Sequence, residues 1–138
     1  MRRSFITFDK EAELGYIYVL PPSRKIKIES TEELEVNEDI MLDIDVEDRI
    51  VGMELFGDSA HALKELAGAK KIYSKSLNED NESVIYSFRL FDKEVNKTFN
   101  AFGLSFCFSD DKFEEFVGFD INDISKYDEK LLDKMVKK

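Results

Sequence analysis

The chain has 138 residues, of which 43% are hydrophobic and 12% aromatic, and its formal net charge at pH 7 is −10. This length fits one ordinary domain, and two prolines and six glycines leave little room for disordered linkers. The negative charge argues against binding to nucleic acids or to anionic membrane surfaces, because both need clustered Lys and Arg. The negative charge suits either a basic protein partner or solubility alone.

Cysteine usage and the first residues narrow the class of protein further. The single cysteine, Cys107, excludes an intramolecular disulfide and a zinc site built on several cysteines. The first ten residues hold two arginines but no apolar core of a signal peptide. No segment approaches the roughly 20 apolar residues of a membrane-spanning helix. We therefore expect a cytoplasmic protein.

The N-terminal part predicts short strands separated by polar turns. Strands are expected at Phe5–Phe8, Leu14–Leu20 and Lys25–Ile28. Pro21 and Pro22 end the second strand, because proline cannot donate a hydrogen bond to a β-ladder.

Residues 39 to 55 form the pattern around which the first half is organised. Apolar and polar residues alternate on both sides of a charged turn at Val46–Arg49. Such alternation around a short polar break indicates a β-hairpin with one buried face. The pattern places Val51 on one face and Ile50 on the other.

The second half predicts the same kinds of element. Each half ends in a helix, at Ala60–Ala67 and at Asp123–Lys138. Side chains available to cap these helices are Asp58 or Ser59 for the first and Ser125 with Asp128 for the second. The remaining predicted elements are strands at Lys70–Ser76, Val84–Leu90, Leu104–Phe108 and Glu115–Ile121 and a turn at Asn78–Glu82.

The two halves, residues 1–69 and 70–138, align with each other. Val51–Leu66 matches Val117–Leu132 without a gap, and Gly52 aligns with Gly118. We predict an α+β protein with antiparallel sheet and two short helices, arranged as two hairpin–helix halves. Their similarity arose either by internal duplication, which we favour, or by convergent hairpin–helix patterning. Because each half is too small to hold a stable core alone, we expect one compact domain, 1–138, with a shared core.

Two motifs carry a resemblance to a known family. The first spans Phe8–Ile17 and has an acidic start followed by Tyr-Ile; the second joins Leu42–Asp45 to Val51–Glu54 across the turn. Both resemble the YuzE-like proteins, small bacterial proteins classed as a domain of unknown function, although Gly15 stands where the family usually has Leu. The resemblance covers about the first half. It implies an α+β fold with an antiparallel sheet and brings no established activity or catalytic residues.

An acidic segment overlaps the hairpin. Between Glu29 and Asp58, twelve carboxylates are accompanied by a single base, Arg49. Concentrated like charge causes self-repulsion, so this segment is either a solvated sheet face or a docking surface for a cationic protein. The predicted partner-binding residues are Glu38, Asp39, Asp43, Asp45, Glu47, Asp48 and Glu54.

Four of these carboxylates also have the spacing of a calcium-binding loop. Asp43, Asp45, Glu47 and Glu54 fall at positions 1, 3, 5 and 12 of an EF-hand-like loop. However, Asp48 replaces the glycine at position 6, and the flanking segments are predicted strands rather than helices. We therefore predict a charged hairpin and no metal site.

No sequence pattern indicates catalysis. His61 is the sole histidine, and Cys107 lies between Phe106 and Phe108 in a predicted strand, which is typical of a packed thiol. The chain has no glycine-rich phosphate loop, nucleophile elbow or His-Glu-x-x-His motif. We predict no catalytic residues and no cofactor.

The leading hypothesis is a non-enzymatic protein-binding module that engages a basic partner through its acidic face. An immunity- or antitoxin-like role, masking a cationic toxin, is its concrete form. The alternative is a protein or enzyme that binds a small ligand or a divalent metal with the same carboxylates. If the aromatic pairs Tyr16–Tyr18 and Phe106–Phe108 left an exposed patch, it would mark a protein interface, either with another protein or in a homodimer.

Overall fold

The chain folds into two compact units, Met1–Lys70 and Lys71–Lys138. The computed structural model describes residues 4–77 and 83–137. The predicted turn at Asn78–Glu82 therefore lies outside the described residues. A core shared between the halves remains a prediction.

The first unit is a five-stranded antiparallel sheet followed by a helix. Its strands lie in the order β1-β2-β5-β4-β3, which makes β1 and β3 the edges. The elements are β1 (Ile6–Asp9), β2 (Leu14–Tyr18), β3 (Ile28–Leu34), β4 (Asn37–Asp45), β5 (Ile50–Leu55), α1 (Gly57–Leu63) and a 3₁₀ turn at Lys64–Leu66.

The second unit repeats this topology. Its sheet order, β6-β7-β10-β9-β8, again runs first, second, fifth, fourth, third. The elements are β6 (Ser74–Leu77), β7 (Val84–Arg89), β8 (Lys97–Ala101), β9 (Leu104–Phe108), β10 (Phe116–Ile121), α2 (Ile124–Tyr127) and α3 (Glu129–Asp133). The predicted α+β class with two antiparallel halves is confirmed, whereas duplication as its origin remains a prediction.

Alternation along the strands gives the first sheet one buried and one open face. Ile17, Met53 and Leu42 are paired neighbours on the buried face and are at most 2% exposed. Helix α1 covers this face, and Leu63 packs so closely on Gly15 that a Cβ there would lie 2.5 Å from the Leu63 Cδ1. We call the face opposite α1 the outer face.

A β-bulge breaks the predicted alternation at the same place in both units. Asp43 pairs with Gly52 but Ile44 pairs with Ile50, so Val51 is an extra residue. The predicted alternation sets Ile50 with Gly52 and Glu54, opposite Met53 and Leu55. It is wrong at this position, since the bulge returns the Ile50 side chain to the core, where it is fully buried. In the second unit the register shift lies between Phe116 and Gly118.

Three local predictions need correction. The strand expected at Lys25–Ile28 begins only at Ile28, because the acidic residues after it pair with β4. Helix α1 has Phe56 at its N-cap without a side-chain cap. The C-terminal helix is split at Asp128, whose φ of 59° is not helical and whose side chain accepts a hydrogen bond from the Lys130 N–H to start α3.

The close backbone approach at Gly118 yields a stability prediction. A Cβ on Gly118, where φ is +151°, would overlap the carbonyl oxygen of Phe88 on the paired strand. Gly68 also has a positive φ, +93°, but nothing lies within 4 Å of its Cβ position. We expect Gly118→Ala to lower the free energy of unfolding by about 2 kcal/mol more than Gly68→Ala, measured by urea titration. Equal losses would contradict the steric argument.

Candidate functional site

The outer face of the first sheet brings together residues that are distant in sequence. Two adjacent rungs cross strands β2, β5, β4 and β3 in that order. One rung is Tyr18, Gly52, Asp43 and Thr31, and the other is Tyr16, Glu54, Met41 and Glu33.

Asp43 is held at the centre of this face by two hydroxyl groups. The Tyr16 hydroxyl donates to its Oδ2 over 2.6 Å, and the Thr31 hydroxyl donates to its Oδ1 over 2.7 Å. The Tyr16 ring reaches Asp43 diagonally by crossing Gly52, where a Cβ would collide with it. Gly52 therefore allows the Tyr16 side chain to pack closely on the strand, as expected for glycine within a strand.

The same contacts keep Tyr16 protonated. Burial raises the pKa of Tyr16 well above its usual range, and the hydrogen bond to Asp43 and the charges of Asp43 and Glu54 add to this effect. Tyr16 is therefore a neutral hydrogen-bond donor at physiological pH, and Asp43 is its acceptor.

Asp45 organises the hairpin turn. Its Oδ1 accepts the N–H groups of Glu47 and Arg49 over 3.0 and 2.9 Å, and its Oδ2 accepts the Arg49 Nε–H over 2.8 Å. Asp45 is only 1% exposed. Arg49 also pairs with Glu47 over 3.0 Å. Asp45 is thus a structural residue, with its charge neutralised inside the turn.

The other predicted partner-binding residues are spread along the hairpin. Glu38 and Asp39 are exposed at the start of β4, and Glu47 and Asp48 are exposed in the turn after its end. Strand β4 has nine residues and is therefore roughly 26 Å long. Glu54 lies half-buried between these ends. The predicted residues form three separate groups, rather than one compact site.

The edge strand β3 supplies exposed carboxylates that the predicted set omitted. Glu29, Glu32 and Glu33 are all exposed on β3, and Glu35 is exposed in the following turn. The acidic composition of this segment was apparent in the sequence, but its strand position was not. We call these four residues the acidic edge.

A small apolar cavity of about 120 Å³ lies beside Tyr16 and Tyr18. Its walls include Leu20, Pro22, Ile26 and Val51. The tyrosine rings meet edge to face, with 4.9 Å between their centroids. The sequence predicts that both side chains lie on one face of their strand, and both of them line the cavity. The cavity is smaller than the roughly 300–1,000 Å³ typical of small-molecule sites.

The second unit carries different chemistry at the matching positions. Cys107 pairs with Gly118 as Asp43 pairs with Gly52. Arg89, which is the partner of Gly118 on β7, forms an ion pair with Asp120 over 2.8 Å. Burial raises the pKa of the Cys107 thiol to about 11, helped by the Asp120 carboxylate. Phe106 and Phe108 are fully buried, so they leave no exposed patch.

The residues considered for metal binding and catalysis do not form a metal or catalytic site in the described part of the chain. Asp43 and Asp45 make the contacts described above, and no group of three or more His, Cys, Asp or Glu side chains in residues 4–77 and 83–137 is placed to hold a metal ion. His61 is exposed and lies 3.7 Å from Glu13 in the first unit, whereas Cys107 belongs to the second. Within the described part of the chain, no helix is long and apolar enough to span a membrane.

The contacts of Asp45 predict that Asp45→Asn will destabilise the protein. The variant loses the ion pair between the buried Asp45 and the half-buried Arg49, and it leaves Arg49 with only the exposed Glu47 as a partner. We therefore expect the free energy of unfolding to fall by about 2 kcal/mol. Asp48→Asn is the matched control, because it removes the same charge from the same turn. Asp48 has a φ of 60°, which Asn tolerates well. A loss at Asp48 as large as that at Asp45 would refute the structural role.

The environment of Cys107 predicts an unreactive thiol. A shift of the pKa from 9.0 to about 11 lowers the thiolate fraction at pH 8 about 100-fold, and burial adds a steric barrier. We expect the disulfide reagent DTNB to modify the native protein at least about 100-fold more slowly than the urea-unfolded protein. Rapid modification of native protein would contradict this placement.

Comparisons with known proteins agree with the resemblance of the two motifs. Residues 6–59 match the family model described as "Protein of unknown function (DUF2283)". Over 118 residues, which cover 85% of this chain and 86% of its relative, the chain is 39% identical to "Uncharacterized protein YuzE" of Bacillus subtilis (strain 168). No solved structure matches it significantly. The chain therefore belongs to the YuzE-like DUF2283 family of bacterial proteins.

Proposed function

We propose that the protein is a non-enzymatic binding module whose first unit engages a basic protein partner. The surface comprises the acidic edge together with Glu38, Asp39, Glu47 and Asp48. An immunity- or antitoxin-like role, in which this surface masks a cationic toxin, is the concrete form of the proposal.

The observation that carries the proposal is the lack of internal compensation for these carboxylates. Arg49 is the one base between Glu29 and Asp58, and it is already paired with Asp45 and Glu47. The remaining exposed carboxylates of this segment keep their negative potential. A complementary cationic surface would be attracted by this potential, and its association would be accelerated.

The position of the carboxylates supports binding to a protein better than binding to a small ligand. They lie along an exposed strand and around two turns, over a length of roughly 26 Å. This arrangement suits an extended protein surface. Asp43, the most central carboxylate, is already occupied on both oxygens by Tyr16 and Thr31.

A small-ligand or divalent-metal protein remains the alternative from the sequence. It would use the same carboxylates as ligands or as acid–base groups. The cavity of about 120 Å³ is mainly aromatic and aliphatic and does not gather these carboxylates. A larger depression of about 380 Å³ is lined by Glu33, Glu35 and Glu38, but it lies on the single exposed turn between β3 and β4 and is open to solvent rather than enclosed. The geometry therefore favours the binding module.

The proposal predicts that charge reversal on the acidic surface will abolish partner binding. Glu38→Lys/Asp39→Lys changes two exposed side chains at the start of β4 and leaves Asp43 and Asp45 intact. We expect the native protein to capture a stoichiometric basic protein from a lysate of its source organism and to release it in high salt. The reversed variant should capture less than a tenth as much, measured by quantitative mass spectrometry.

A matched control separates a local surface from net charge. Glu94→Lys/Glu114→Lys makes the same change in charge at exposed positions of the second unit. This control should capture as much as the native protein, and circular dichroism should show that both variants are folded. Equal loss in both variants would indicate a nonspecific charge effect, and capture of no basic protein would refute the proposal.

A further inference from the structure

One edge strand of the second sheet, β8, lacks the protection found at the other edges. Natural edge strands are kept short, covered or charged, because their unpaired N–H and C=O groups can pair with another chain. Strand β3 carries most of the acidic edge. Strand β1 has four residues and is covered by the chain after α1, where the Gly68 N–H donates to the Ile6 carbonyl over 2.9 Å. Strand β6 also has four residues, and Lys137 near the C-terminus donates to the Tyr73 carbonyl immediately before it.

Strand β8 is neither covered nor strongly charged. It pairs with β9, and no other segment in residues 4–77 and 83–137 forms a backbone hydrogen bond with it. Its one charged side chain, Lys97, is held within its own unit, since the Nζ lies 4.9 Å from the centre of the Phe113 ring. Thr98 and Asn100 are exposed, and Phe99 is half-buried. The strand therefore presents an open backbone with little charge to repel another strand.

The hairpin geometry determines which backbone groups of β8 point to the open edge. Phe102 and Gly103, with φ of 52° and 81°, form the two-residue turn to β9. The residues flanking such a turn form a hydrogen-bonded pair, and hydrogen-bonded and non-hydrogen-bonded pairs alternate from there along the ladder. The N–H and C=O groups of Phe99 therefore point to β9, whereas those of Thr98 and Asn100 point to the open edge.

We propose that two copies of the chain associate by antiparallel pairing of their β8 strands about a two-fold axis at Phe99. In this register Thr98 of each copy forms a hydrogen-bonded pair with Asn100 of the other, and all outward N–H and C=O groups of these residues find partners. An axis at Thr98 would require the Asn96 N–H, which already donates to the Phe108 carbonyl over 2.8 Å. An axis at Asn100 would place Thr98 opposite the turn.

The side chains also match in this register. Phe99 lies opposite Phe99 of the second copy in a non-hydrogen-bonded pair, where facing side chains are closest and aromatic pairs are stabilising. Thr98 lies opposite Asn100, whose Oδ1 accepts a hydroxyl of its own unit over 2.6 Å and whose amide N–H groups can donate to the Thr98 hydroxyl. Lys97 lies opposite Ala101, so no like charges face each other.

The dimer is expected to be weak, and its response to salt distinguishes it from the proposed function. Pairing of two five-residue strands buries less than the roughly 1,200 Å² of a stable interface, so we expect a dissociation constant on the order of 500 µM. No ion pair joins the two strands, and each copy has a net charge of −10. Added salt should therefore leave the dimer unchanged or strengthen it by screening repulsion, whereas it should release a basic partner.

Charge substitutions in the full chain test the register by sedimentation equilibrium. Thr98→Asp/Asn100→Asp places like charges opposite each other at two pairs, and it should weaken the dimer at least about tenfold. Thr98→Lys/Asn100→Asp leaves the net charge unchanged and places a lysine opposite an aspartate at both pairs. This variant should associate at least as tightly as the native chain and up to about tenfold more tightly.

A matched control and hydrogen exchange locate the interface. Ser74→Asp/Ser76→Asp adds the same charge at exposed positions of β6, the other edge of the same sheet, and should change the dissociation constant less than about threefold. Circular dichroism should show that all three variants are folded. In the native chain, the amides of Thr98 and Asn100 should gain protection as protein concentration rises, whereas the Phe99 amide is bonded to β9 in the monomer as well.

Three results would overturn the inference. The first is a monomer at protein concentrations up to about 2 mM. The second is a dimer that Thr98→Asp/Asn100→Asp weakens no more than the β6 control, or that Thr98→Lys/Asn100→Asp weakens to the same extent. The third is a dimer that gains amide protection elsewhere but not in β8. The inference does not rest on the proposed function, since β8 belongs to the second unit and the acidic edge to the first. Loss of capture by Glu38→Lys/Asp39→Lys should leave the dimer intact, so the two hypotheses can fail separately.

Discussion

The register between β4 and β5 decides where every charged side chain of the first unit lies. A slip of one residue would exchange the buried and outer faces of a strand. Asp45 prevents this slip by accepting the N–H groups of the turn and the Arg49 side chain. The bulge at Val51 then keeps Ile50 in the core while Gly52 faces the tyrosines.

The two units show how one topology accommodates different chemistry. Both place a glycine next to a bulge, and the space that it leaves is occupied by the Tyr16 ring in the first unit and by the backbone of Phe88 in the second. Each sheet also carries a side-chain interaction between two of its strands. In the first unit this interaction is the hydrogen bond from Tyr16 to Asp43, and in the second it is the ion pair between Arg89 and Asp120. The two units share their backbone geometry rather than their side chains. A matching position such as Cys107 therefore need not share the role of Asp43.

The carboxylates of the first unit fall into two groups, those with internal contacts and those that are exposed. Asp43 and Asp45 are committed to internal contacts, and their role is structural. The carboxylates of β3 and the turns remain open, and they lie on a sheet edge where backbone groups are also unpaired. The proposed function uses this coincidence of charge and edge for a basic protein surface.

The sequence by itself determined the α+β class, the two halves, the hairpin around Val46–Arg49 and the family, because alternation, turn residues and motifs are local patterns. Only the tertiary structure showed that β3 begins at Ile28, that Asp45 is buried and that Tyr16 reaches Asp43. These features depend on pairing between distant strands and on a one-residue bulge, which period-two alternation cannot reveal. The number of carboxylates can be read from the sequence, whereas only the fold shows which of them are exposed to solvent.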